Sequence, residues 1–189
     1  MGDITQLIVR AQSGERPAID ALFEALYPEL RRIAHARLSR HQRDTLLDTT
    51  VLLHECYLKL LRSERLGATD RAHFIAYAAT MMRSLIVDAA RARHSERRGA
   101  GAVHLALDTE LSEQLARELA EPAEEILDVD RALTELAALE PRLAQVVEMR
   151  YFAGMSEADV AATLGVSDRT VRRDWEKARL LLAHALRAN

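Results

Sequence analysis

Apolar residues recur at helical spacing in one segment after another, and this periodicity limits the fold more than any other feature of the chain. The clearest run is Ile19, Leu22, Phe23, Leu26, Leu30, Ile33, Ala34 and Leu38, which draws one stripe along a helix opening at Pro17. Proline suits a first helical turn, where its missing N–H has no partner to lose; Pro28, further along, is expected to bend this helix without ending it. Ile4, Leu7, Ile8 and Ala11 predict a shorter helix over residues 3–13, stopped by Ser13-Gly14. Val51, Leu52, Leu53, Cys56, Tyr57, Leu60 and Leu61 predict a third from about Asp48 to Ser63. A fourth, from about Arg71 to Arg97, carries Phe74, Ile75, Tyr77, Ala78, Met81, Met82, Leu85, Ile86 and Ala89. Aromatic residues make up only 4% of the chain, and glycine and proline are sparse, so no segment reads as a strand. The expected fold class is all-α.

Charge divides the chain into parts. Residues 1–98 hold 16 Lys/Arg against 12 Asp/Glu, residues 99–130 hold 1 against 9, and residues 131–189 hold 9 against 8. The net charge of −3 therefore hides a basic front half behind an acidic middle. The acidic stretch 99–125 begins at Gly99-Ala100-Gly101, contains Pro122, and reads as a linker with room for one weak helix. Two helical domains are expected, 1–98 and 126–189. In the second, helices are predicted over 126–138, 141–152, 156–163 and 167–187, with Gly154 and Gly165 at the breaks.

Several function classes are expected to be absent. Cys56 is the single cysteine, so no intramolecular disulfide forms, and the seven histidines are scattered rather than grouped at zinc spacing. His54-Glu55 is not followed by a second histidine at metalloprotease spacing, and no Gly-rich phosphate loop occurs. The expectation is a protein that is not an enzyme and uses no cofactor or metal. The N-terminus lacks a basic start with an apolar core, and no run reaches membrane-spanning length, which predicts a cytoplasmic protein without a membrane partner.

The most specific segment is residues 155–182, MSEADVAATLGVSDRTVRRDWEKARLLL. Ser156 is placed to cap one helix with Asp159 three residues on, Ala161 is small where two helices approach, Gly165 supplies a turn, and Ser167 caps a second helix. Val171, Trp175, Ala178 and Leu181 are expected to face inward, leaving Arg169, Thr170, Arg172, Arg173 and Lys177 outward. That is a helix-turn-helix with a cationic second helix, the arrangement that reaches base edges and phosphates in a major groove. The plainer alternative is an amphipathic helix pair with a solvated arginine face.

Extended to residues 139–182, the segment resembles the C-terminal, −35-reading domain of bacterial sigma factors. The wording TVRRDWEKAR is similar to a branch of the extracytoplasmic-function (ECF) sigma factors linked to Ser/Thr kinases. Residues 73–99 resemble the −10-reading part of the sigma-2 domain, and HECYLKLL, residues 54–61, resembles its polymerase-binding helix. The resemblance implies partners in RNA polymerase core, promoter DNA and a Ser/Thr protein kinase, with an anti-sigma factor as a further one. It makes Arg83, Arg91, Arg93, Arg97 and Arg98 candidates for −10 contacts, against the alternative of a solvated helix end. It also makes the loop Glu64–Asp70 the place where a non-template base is held, with no preference among Leu66, Thr69 and Asp70. Phe74, Tyr77, Met81 and Met82 are read as core in preference to base-stacking.

One departure from the family stands out. Most ECF sigma factors carry Asp-Ala-Glu-Asp just before the apolar part of the polymerase-binding helix; here the run is Asp48-Thr49-Thr50-Val51. Aligned on Glu55, Thr50 replaces a Glu and Val51 an Asp, so the core-binding candidates are Asp48, Thr50, Glu55 and Tyr57. A phosphothreonine restores about −1.5 to −2 charges and three acceptor oxygens. Thr50 is therefore the leading phosphorylation candidate, with Thr49 and Thr45 behind it; the alternative is a threonine that only caps the helix. A stand-alone helix-turn-helix regulator is the competing function, but it needs a receiver or ligand domain in front, and residues 1–98 have no β/α alternation.

Overall fold

The computed structural model describes residues 2–38, 46–63, 66–97 and 123–188. These are helical almost throughout, with no strand among the described residues. The chain forms two compact units, Met1–Leu85 and Ile86–Asn189, which divide inside the fourth helix. The boundary drawn from composition, 98–99, and most of the acidic linker lie outside the described residues.

In the first unit α1 spans Gly2–Gln12, α2 Arg16–Leu38 and α3 Leu46–Arg62, while α4, Arg71–Arg97, starts here and continues into the second. Gly14, at φ +85°, turns the chain after α1, and the Glu15 carbonyl then accepts from the backbone N–H groups of Ala18 and Ile19 to open α2. The helix runs unbroken through Pro28. Its expected stripe is buried at Ile19, Leu22, Leu26, Leu30, Ile33, Ala34 and Leu38; Phe23 is only half-buried. Ile8, Leu52, Leu53, Phe74 and Met82 are also buried in this unit. Polar ties fasten the helices at their margins. The Gln12 amide donates to the Ala68 carbonyl at 2.7 Å, Lys59 Nζ to Ser84 Oγ at 2.9 Å, and the Ser63 and Tyr77 hydroxyls lie 3.0 Å apart. Cys56 is buried as expected, and that burial pushes its thiol up to about 12 despite nearby Lys59.

Asp70 caps α4: its carboxylate accepts from the His73 backbone N–H at 2.9 Å and lies 2.8 Å from His73 Nδ1. Burial works to raise the Asp70 pKa, but the hydrogen bonds and charge of His73, with the Ala72 N–H, outweigh it and hold the group below the usual carboxylate value. Leu66 is buried in the same loop, and Thr69 is exposed with its hydroxyl against His73. Glu64 and Arg65 are outside the described residues.

The second unit contains α5 (Ala123–Leu139), α6 (Pro141–Val147), a π-helical turn (Glu148–Phe152), α7 (Glu157–Leu164) and α8 (Asp168–Ala188). The single helix expected over 141–152 thus widens in its last turn, where the Ala153 N–H bonds the Glu148 carbonyl five residues back at 2.9 Å. The turn places Arg150 between two partners. It lies 3.1 Å from Glu157 on α7 and 4.8 Å from the ring centroid of Trp175 on α8. Leu133, Leu136, Leu143, Ala144, Val147 and Ala178 form the core, with Val129, Tyr151, Phe152, Trp175 and Leu182 packed on it.

The caps of the helix-turn-helix form as the sequence demands. Ser156 Oγ accepts from the Asp159 N–H at 3.1 Å, and Ser167 Oγ from the Thr170 N–H at 3.2 Å. Between them Gly165 sits at φ +65°, and the Val166 N–H bonds the Ala161 carbonyl across it. A Cβ at Gly165 would meet open space, so only backbone strain opposes it. Gly165→Ala is accordingly expected to cost about 1–2 kcal/mol, measured by thermal or denaturant unfolding of the second unit. The inward stripe of α8 needs one correction. Val171 and Ala178 are buried and Trp175 is half-buried, but Leu181 is exposed, and Asp174 and Leu182 turn inward instead. The inward line 171, 174, 178, 182 drifts by one position because α8 packs against both α5 and α6 as well as α7.

Candidate nucleic-acid and partner interfaces

The exposed face of α8 brings Arg169, Arg172, Arg173 and Lys177 together, with Thr170 half-buried beside them and tied to Ser167. Three of the cations rest against carboxylates. Arg172 Nε lies 2.7 Å from Glu157, Lys177 Nζ lies 2.7 Å from Glu140, and Arg173 lies 3.3 Å from Asp174. Arg172 and Arg173 remain 65% and 70% exposed, so these pairs are worth roughly 0–1 kcal/mol each. The contacts hold the side chains in place without hiding them.

Asp174 was not marked by the sequence. Its side chain is 4% exposed and accepts from Arg142 Nε at 2.7 Å, which ties the second helix of the motif to the start of α6. An acid between the inward Val171 and Ala178 is the only local sign of it, and its partner lies 32 residues away.

The −10 candidates are more scattered. Arg83 is half-buried, and Arg91 is exposed, 2.9 Å from Asp130 on α5 and 3.7 Å from Asp88. Arg93 and Arg97 fall on α4, their side chains outside what is described, and Arg98 is outside the described residues. Phe74, Met81 and Met82 are buried, and Tyr77 is half-buried.

On the first unit, Thr50 and Tyr57 line one groove of about 540 Å³ between α2 and α3, together with Asp20, Phe23, Tyr27 and His54. Phe23 meets Tyr27 and Tyr57 edge-on, with ring centroids 6.4 and 5.2 Å away. Tyr57 donates its hydroxyl to Asp20 at 2.7 Å; that hydrogen bond, then burial and the Asp20 charge, raise its pKa above the ordinary phenol value. The aromatic pair Phe23 and Tyr27, four residues apart on α2, was a signal that the stripe reading passed over.

Of the other core-binding candidates, only Glu55 has a described side chain, and it is not in the groove lining. Glu55 is buried at 7% exposure, and the side chain of Asp48 is outside what is described. Helix α3 opens at Leu46, two residues before the expected start, so Thr49 and Thr50 are helical rather than capping residues. Thr49 is 1% exposed, Thr50 is exposed, and Thr45 is outside the described residues.

Among the described residues no cluster of His, Cys, Asp or Glu is built to hold a metal, and no helix is long and apolar enough to cross a membrane. A capped helix-turn-helix with an exposed cationic second helix, behind a separate helical unit, defines the class as an all-helical protein of the helix-turn-helix type. A family model, ECF sigma factor, matches residues 1–188, and the chain belongs to that family. Its role is that of a sigma factor in transcription initiation, within a family of non-enzymatic transcription factors. No curated protein and no solved structure matches the chain.

Proposed function

We propose that this chain binds RNA polymerase core through the α2–α3 face, reads the −10 element with the basic end of α4, and reads the −35 element with α8. In this reading residues 1–98 act as a sigma-2-like domain, 99–125 as an acidic linker and 126–189 as a sigma-4-like domain. The observation that carries it is the cationic face of α8, with Arg169, Arg172 and Arg173 exposed on a helix capped at Ser167. The −10 assignment leans on the order of arginines along α4, and Arg91 must exchange Asp130 for phosphate. Such a protein works in the cytoplasm, where polymerase and promoter are.

Activation by a Ser/Thr protein kinase at Thr50 is part of the same proposal. Exposure favours Thr50 over the buried Thr49, since a phosphate at position 49 has no room without displacing core. An anti-sigma factor, a partner often found in the family, is a further proposed partner.

The test is transcription from a promoter library by purified core polymerase with this chain, untreated and kinase-treated. Promoter-selective initiation that requires the chain supports the proposal; operator binding without any effect on core-dependent initiation supports a stand-alone regulator instead. In the same assay Arg172→Ala and Arg173→Ala are each expected to weaken −35 recognition by about 1–3 kcal/mol. Their unfolding curves should stay within about 0.5 kcal/mol of wild type, as expected for exposed positions. Unchanged promoter affinity in both would remove α8 as the reading helix.

A further inference from the structure

Arg172 is held from behind by Glu157, the first residue of α7 and so of the other helix of the motif. The two oxygens of that carboxylate are divided between two arginines. Oε2 lies 2.7 Å from Arg172 Nε, a charge-assisted hydrogen bond, while Oε1 lies 3.1 Å from Arg150 in the π-helical turn. Arg150 is itself anchored over the ring of Trp175, 4.8 Å from the centroid. Side-chain exposure climbs along this series, from 23% at Arg150 and 28% at Glu157 to 65% at Arg172. Arg173 is placed more loosely: it reaches Asp174 at 3.3 and 3.4 Å, and Asp174 is already engaged by Arg142 at 2.7 Å.

A guanidinium carries its donors in one rigid plane. With Nε taken by Glu157, that plane is fixed, and the terminal nitrogens are left to meet a ligand in front. Two parallel donors match O6 and N7 on the edge of a guanine. Phosphate oxygens are less demanding, since they accept from any guanidinium nitrogen at many angles, Nε included. Glu157 occupies that nitrogen and sets a negative charge beside it, which works against phosphate more than against a base edge. On the reading of α8 as the −35 helix, we propose that Glu157 is a positioning residue for promoter specificity. It sets the Arg172 fork for a guanine in the −35 element and holds it back from the phosphates of unrelated DNA. Arg150, stacked on Trp175, keeps the carboxylate in register.

Two measurements test it. In the first, core polymerase carrying the full chain is titrated with a promoter duplex from the library and with an unrelated duplex of equal length. Glu157→Gln keeps the length of the side chain and one acceptor oxygen but loses the charge. Its ratio of promoter to unrelated affinity should fall roughly threefold to tenfold, because Arg172 must then be ordered at binding. Affinity for the unrelated duplex should itself rise, with a salt dependence steeper by about one ion, as one more cation reaches phosphate. A merely structural glutamate gives the other sign: both affinities fall together and the salt dependence stays. In an Arg172→Ala background, Glu157→Gln should leave the ratio unchanged. The second measurement needs no variant: in the free wild-type chain the Arg172 Nε–H, followed by NMR, should exchange with solvent severalfold more slowly than that of exposed Arg169. Equal exchange at the two arginines, or an unchanged ratio in Glu157→Gln where Arg172→Ala does weaken promoter binding, overturns the proposal alone. Arg172→Ala without effect on promoter binding overturns the −35 reading and the proposal with it.

Discussion

Replacing Phe74 by alanine is expected to destabilise the first unit by about 3–5 kcal/mol, the range seen when a large aromatic side chain is removed from a core. Phe74 has no exposed surface and is the largest of the fully buried side chains among the described residues. It sits in the first turns of α4, one residue after His73, whose backbone N–H is capped by Asp70. Loss of its ring therefore opens a cavity beside a helix start that a short loop already fixes. For a unit of this size the cost lowers the melting temperature by on the order of 20 °C, a large fraction of a typical domain's stability. Denaturant unfolding of wild type and Phe74→Ala, followed by circular dichroism without DNA, measures it. A base-stacking residue predicts another result, a promoter-melting defect in a protein whose unfolding curve is unchanged. Phe74→Leu should fall between wild type and alanine in stability, because it keeps part of the apolar volume.

Whatever depended on neighbours in sequence was legible before the fold. The stripe of α2, from Ile19 to Leu38, is buried at seven of its eight expected positions, because apolar periodicity and helical geometry are the same information. The caps at Ser156 and Ser167 and the turn at Gly165 were legible for the same reason: each satisfies orphan backbone groups within a few residues. What failed needed partners from afar. Asp174 reads as surface until Arg142 arrives from α6, and Leu181 reads as core until α5 and α6 fix the roll of α8. The burial of Glu55, an acid in a helix that resembles the polymerase-binding helix, likewise becomes visible only in the fold and leaves its role in docking untested. The groove that joins Thr50 to Phe23, Tyr27 and Tyr57 needed α2 and α3 to be laid side by side.

That groove gives the largest functional effect its physical form. Thr50 is exposed on α3, and Asp20 and Glu24 line the same groove, so phosphate added there joins two carboxylates. The resulting anionic patch suits a basic partner surface, whereas among the described lining residues the unmodified groove presents the two acids alone. If the phosphate makes one or two charge-assisted hydrogen bonds to core polymerase, phosphorylation should tighten binding by about 2–4 kcal/mol, roughly 30- to 700-fold. Because α3 begins at Leu46, Thr50 lies beyond the first turn, and little of that gain comes from the helix dipole. Thr50→Ala should bind as weakly as unmodified protein and fail to respond to kinase, with its circular dichroism unchanged. Thr50→Glu should recover only part of the effect, since a carboxylate supplies less charge and fewer acceptors. Thr49→Ala, at a buried position, should lower stability yet leave the kinase response in place. The measurement is core-polymerase affinity for unmodified, kinase-treated and Thr50→Ala protein at several salt concentrations, with the gap narrowing as salt rises. Equal, tight binding by all three would leave Thr50 an ordinary surface residue of α3.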